Sequence, residues 1–296
     1  MRLLRYSLIA GSAAVVTGAL MLGTGAAVTT AAGPTRAVHV AAHQPSARFL
    51  AEARTALAKY LRHDHQPAEL VHPARNGPRG TTKAGSYNWS GYADVATTDG
   101  TFSKVSGQWT TPKVTCTAED TITSEWVGLD GWTSSTVEQD GTLDWCFEGT
   151  PTYFTWYEMY PAGTIEVGTS LAPGDKITAT VSRTGTSYTL SLTDATHTAN
   201  SFTKTATCAA TTCVDTSAEW IAERPAFSIG IAPLADYASW KLTAATETAS
   251  GKSGTISSYA NNDEITSVDA TDSYDLSTPS ALTGGNSFTT TWHNSY

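Results

Sequence analysis

The short signatures that announce hydrolytic or metal chemistry are absent from this 296-residue chain. There is no GxSxG, so no strand-to-helix elbow presents a serine, and no HExxH to set two zinc-binding histidines one helical turn apart. Neither DTG nor DSG occurs, which leaves an aspartic dyad without its motifs. GTSLA (168–172) places a serine among small residues, but PGDKITATV follows as turn and strand where such a nucleophile would open a helix; Ser170 reads as a loop residue. Histidine is scarce beyond residue 84, with only His197 and His293, neither near a recognisable Asp motif, which argues against a Ser-His-Asp triad. No CxxC occurs and the cysteine spacing does not suit zinc, so no metal and no cofactor is expected.

Charge is missing from a long stretch near the start. After Arg2 and Arg5 no charged residue follows until Arg36, and the apolar centre of that stretch gives way to small residues. This is the layout of a secretory signal peptide over 1–32 and implies a secreted, extracellular protein without stable membrane association. Cys116, Cys146, Cys208 and Cys213 then fold outside the cytoplasm, where an even number implies two disulfides with three possible connectivities. The short CAATTC loop favours Cys208–Cys213, leaving Cys116–Cys146. Residues 33–84 carry eight basic and three acidic side chains, a net of +5, whereas 85–296 carry eight and twenty-four, a net of −16. A surface that acidic repels nucleic acid and anionic membrane and suits an acidic medium.

The chain divides accordingly. SARFLAEARTALAKYLRHDH (46–65) has Phe49, Leu50, Ala53, Leu57, Tyr60 and Leu61 on one helical face. A Pro-, Gly- and basic-rich stretch over 66–85 reads as a linker. From Ser86 onward Thr, Ser, Tyr, Trp and Val dominate in short alternating runs. KITATVSRTGTSYTLSLTDATH (176–197) is a hairpin, and SGQWTTPKV, SEWVGLDG, TYFTWYEMYP, FSIGIAPL and SFTTTWHNSY read as further strands. The expected class is all-β: one β-sandwich over 85–296 with no helix after Gly85.

What remains is carboxylate and amide chemistry on strands. Side chains alternate along a strand, so parity decides which share a face. Phe154, Trp156, Glu158 and Tyr160 point one way; Trp126, Gly128 and Asp130 share a face as well. Two strands thus each set an acid beside a Trp.

SEWVGLDG, STVEQDG, TWYEMYP and TSAEWIAE, in this order, resemble the eqolisins, the secreted glutamic endopeptidases. GSYNWSGYAD (85–94) and SGQWTTPKV (106–114) resemble that family's mature N-terminal region, so the similarity spans 85–296. The resemblance implies two packed antiparallel sheets of the concanavalin-like kind, with a substrate groove on one. It implies a catalytic Gln139 and Glu219, and groove residues Trp126, Asp130, Trp156, Glu158 and Tyr160. The family usually has an Asp four residues after its Gln; here Asp144 stands five after, on the opposite parity unless a bulge intervenes. The expected partners are unfolded protein or peptide substrates and the chain's own basic propeptide (33–84), the enzyme being a monomer. From the charge split, the +5 segment is expected to lie on the −16 domain near neutrality and to detach in acid, where this zymogen converts itself to a form starting near Gly85; the alternative is a solvated leader that only assists folding.

Without the resemblance Gln139 is an ordinary residue near a turn, Glu219 a solvent-facing strand residue, and the aromatics core material. Two other functions share the sandwich: a lectin-like carbohydrate-binding module, and a retaining glycosidase using Glu158 and Glu219 as paired carboxylates.

Overall fold

The computed structural model describes residues 45–60, 65–72, 80–227 and 230–296; the expected signal peptide lies outside these. Gln44–Tyr296 pack as one unit. Helix α1 (Ala47–Tyr60) begins where Ser46 caps it, the Ser46 Oγ accepting the Phe49 N–H at 3.2 Å. Its expected apolar face is turned onto the β domain: Ala53 is fully buried and the Phe49 ring meets Phe147 at 5.6 Å.

The strands follow in chain order. β1 (Leu70–His72), β2 (Gly80–Ser86), β3 (Trp89–Val95), β4 (Phe102–Thr110), β5 (Thr121–Leu129), β6 (Val137–Phe147) and β7 (Thr150–Tyr160) come first. Next are β8 (Ile165–Glu166), β9 (Lys176–Thr184), β10 (Ser187–Asp194), β11 (Phe202–Thr207) and β12 (Ser217–Glu223). After β13 (Ala226–Phe227) and β14 (Gly230–Ile231), which pair only with each other, come β15 (Ser239–Ala249), β16 (Lys252–Gly254), β17 (Asn261–Val268), β18 (Asp275–Pro279) and β19 (Phe288–Trp292).

Seventeen strands form one hydrogen-bonded ladder that doubles over where β17 pairs with β18. One layer runs β2-β17-β3-β12-β5-β6-β7-β8. The other runs β18-β19-β15-β4-β9-β10-β11. Every pairing is antiparallel except β2 with β17. The expected linker is therefore partly sheet: β2 adds to β17 over seven positions, and β1 pairs with β2.

Between the layers Val127, Leu129 and Trp220 pack with Val105, Trp109, Val181, Leu190 and Leu242. Trp109 Nε1 donates to Thr142 and Trp220 Nε1 to the Ser106 carbonyl, so these two rings enter the core with a partner for the N–H. Strands β5 and β12 are buried at every position, while β15 alternates. The central strands are covered on both faces: the second layer covers one, and α1 with residues 65–72 covers part of the other. Disulfides Cys116–Cys146 and Cys208–Cys213 are both formed, the second just ahead of β12.

Candidate active site

On the outer face of the first layer one row of directly opposed residues crosses the central strands. It reads Asp263, Ala93, Glu219, Gly128, Gln139, Glu158. Opposed residues share a face, so Glu219, Gln139 and Glu158 project to the same side. One strand separates Glu219 from Gln139, about 10 Å at the backbone for two inter-strand spacings. That intervening position is Gly128, where a Cβ would lie 2.9 Å from the Trp126 ring and 3.2 Å from the Gln139 Cβ. The absence of a side chain keeps the space between acid and amide open.

Gln139 Nε2 donates to Glu158 Oε2 at 2.9 Å and to the backbone carbonyl of His65 at 2.9 Å. Two acceptors fix which end of the amide is the NH2. Glu158 also accepts from Thr164 Oγ1 at 3.1 Å. Glu219 is fully buried, with the Ser217 hydroxyl the hydrogen-bonding side chain at its carboxyl. Burial pushes its carboxyl well above the ordinary range, with the charges of Asp130, Glu138 and Asp94 adding.

The walls are aromatic. Trp126 lies on the groove side of β5 and donates through Nε1 to Glu223 Oε2 at 2.8 Å. Trp156 lies on β7 with its face under the His65 imidazole, 3.7 Å between centroids and 4° between planes. Tyr160, one step beyond Glu158 on the same face, is half-buried; burial and then the Glu158 charge push its hydroxyl up. Trp89 and Trp132 complete the wall toward β17, where Trp132 Nε1 donates to Asp263 Oδ2.

Asp130 follows β5 with φ 68° and turns its carboxylate to the loop ahead of β12. It accepts the N–H groups of Val214, Asp215 and Thr216 at 2.9, 2.7 and 2.9 Å. It anchors the entry to the strand that carries Glu219. Burial nevertheless pushes its carboxyl up.

A model of the Peptidase A4 family matches residues 87–292. The chain belongs to this family, the eqolisins. Aspergillopepsin-2 from Aspergillus niger is 29% identical over 194 residues, 58% of this chain and 67% of that protein. A solved scytalido-glutamic peptidase, bound to a transition-state-analogue inhibitor, shares the fold with a TM-score of 0.59 at 24% identity, covering 70% of this chain and 98% of that one. The aspergilloglutamic peptidase of Aspergillus niger aligns with a TM-score of 0.50 at 29% identity over 58% of this chain and 99% of its own. The chain is a glutamic-peptidase-type hydrolase.

The parity of Asp144 in this eqolisin is decided by the ladder. β6 pairs with both β5 and β7 without a bulge, so Asp144, opposite Thr123 and Tyr153, keeps the parity opposite to Gln139 and lies on the inter-layer side, away from the groove. There it neighbours Glu125, and burial followed by the Glu125 charge pushes its carboxyl well up. The glycosidase reading also fails on distance: Glu158 and Glu219 stand three strand spacings apart, about 14 Å at the backbone, where paired retaining carboxylates need ~5–5.5 Å.

Glu223 and His65 join the site without having been singled out from sequence, whereas Gly128 had been placed on the Trp126 face by parity. Glu223 lies four residues past Glu219, on the same face by parity, and that signal was there to use. His65 carries no such signal, because nothing local to HDHQP says where the segment docks.

Proposed function

We propose that this chain is a secreted, acid-acting endopeptidase in which Glu219 is the general base and acid and Gln139 the oxyanion donor. The observation that carries this reading is the Gln139 amide already donating to a peptide carbonyl, that of His65, on the face it shares with Glu219. A water between the two groups gives its proton to the Glu219 carboxylate and attacks the scissile carbonyl carbon. The developing oxyanion is held by the Gln139 N–H, which does not titrate at any working pH. Glu219 returns the proton to the leaving amine as the C–N bond breaks.

Trp126 and Trp156 supply apolar contact for the substrate, Glu158 orients Gln139, and Tyr160 lines the same wall. Burial raises the Glu219 carboxyl, so it serves as a base where water reaches it beside a bound peptide. Once the groove opens to water the carboxyl falls toward its ordinary value of about 4.3. A group titrating there serves both as base and as acid in an acidic medium. Residues 33–84 act as a propeptide. Two disulfides fit an extracellular setting, and no described helix is long and apolar enough to cross a membrane.

Hydrolysis of an unfolded protein at acidic pH tests the assignment. Gln139→Ala and Glu219→Gln should each lower turnover by at least ~10²–10³ while the protein stays folded. Near wild-type turnover in either variant removes that residue from its role.

A further inference from the structure

We propose that the His65–Gln66 peptide bond is the protein's own first substrate, cut by the Gln139/Glu219 pair. The inference rests on the catalytic reading above. The leader does not merely lie over the groove; it is held on both sides of one bond. On the acyl side the His65 ring is fully buried, stacked on Trp156, with Nδ1 2.9 Å from Glu223 Oε2. Burial lowers the affinity of this imidazole for a proton.

The carbonyl of the same residue takes the hydrogen bond of Gln139 Nε2. On the amine side the backbone is clamped residue by residue. The Gln66 carbonyl accepts from Trp89 Nε1 at 3.2 Å, the Pro67 carbonyl from Asn88 Nδ2 at 3.2 Å. Ala68 N–H donates to the Gly131 carbonyl and Glu69 N–H to Asn88 Oδ1. A side chain in a pocket, a carbonyl on the oxyanion donor and an anchored leaving segment are what a bound substrate needs.

Water adds to the His65 carbonyl carbon, Glu219 taking its proton. The bond to the Gln66 nitrogen then breaks, and that nitrogen takes the proton from Glu219. His65 ends as a carboxylate and Gln66 as a new N-terminus. Residues 80–86 stay behind, since β2 is part of the ladder beside β17. The same pocket makes Trp156 and Glu223 specificity-determining: planar rings, imidazole among them, are favoured on the acyl side of the cleaved bond.

The test uses full-length precursor purified near neutrality and moved to about pH 4, within the carboxyl range. Intact mass and N-terminal mapping follow the products, and the same samples are assayed on an unfolded protein. A 66–296 product should appear first in wild type and not in Glu219→Gln. His65→Asp should slow that cut ~10–200-fold, the range for a mismatched pocket, and His65→Phe should stay within a few-fold of wild type. Matured wild-type enzyme should also cut a synthetic peptide of residues 60–70 after His65, a measurement free of any folding defect. A first cut elsewhere, a peptide left whole at that bond, or a His65→Asp precursor maturing at the wild-type rate overturns the proposal. If the unfolded protein is hydrolysed meanwhile, the catalytic pair stands and only the bond is wrong; if it is not, both fall.

Discussion

Gln139 owes its orientation to Glu158. An amide side chain has two nearly isosteric ends, and only the NH2 end can stabilise an oxyanion. The 2.9 Å contact with the Glu158 carboxylate selects that end and leaves the second N–H for the substrate carbonyl. Hydrogen bonds to charged groups are worth about 1.5–3 kcal/mol, so Glu158→Leu should reduce kcat by roughly 10–100-fold. Glu158→Gln, whose carbonyl oxygen can still accept, should recover much of that loss. Equal damage from both variants would mean that Glu158 supports the fold rather than the amide. At this scale much was readable in the chain: period-2 parity put Trp156, Glu158 and Tyr160 on one face, and Asp144 off Gln139's face. Parity could not show that Asp130 is consumed by three backbone N–H groups, because that contact joins residues more than eighty apart.

Strand β5 is the element that spaces the acid from the amide, and it does so with a glycine. Gly128→Ala would force a methyl group to within 2.9 Å of the Trp126 ring and 3.2 Å of the Gln139 Cβ. The expected cost in stability is about 1–3 kcal/mol, with a larger loss in kcat/KM because the displaced groups are a groove wall and the oxyanion donor. Steady-state kinetics beside thermal unfolding decide it; unchanged kcat/KM would show that the gap at residue 128 is not used. Among elements, legibility followed the locality of the signal. The 176–197 hairpin and the long alternating strands carry their pattern within ten or so residues and form as read; of the helix read over 46–65, Ala47–Tyr60 is helical. GTTKAGS (80–86) has no large apolar residue and becomes β2 by parallel pairing with β17, some 180 positions away. Its strand character belongs to the partner, so the stretch read as a linker. FSIGIAPL, expected as one strand, is described as parts of the short β13–β14 pair.

The whole molecule stores protons. Burial pushes up the carboxyls of Asp94, Glu138, Asp140, Asp144 and Glu219, that of Asp215 to about 6 and that of Glu125 to about 8. An acid whose folded pKa is raised binds its proton more tightly when folded. The stabilisation is therefore full below the unfolded value of about 4 and is lost as pH climbs through the folded value. The window opened by these groups runs from about pH 4 to pH 8, and across it the folded state becomes progressively less favourable. In the Gln139→Ala precursor, chosen to avoid self-digestion, Tm should be at least about 5 °C lower at pH 8 than at pH 4, given ~2–4 °C per kcal/mol for a domain of this size. A Tm that is equal or higher at pH 8 would show that these carboxyls ionise in place without cost. The Asp144–Glu125 neighbours sharpen the test, because they titrate as a pair inside the inter-layer core, where a second charge is opposed by the first. Asp144→Asn removes one of the two protons that must leave. It should raise Tm at pH 8, change it little at pH 4, and leave hydrolysis in acid intact, since Asp144 faces away from the groove that does the chemistry.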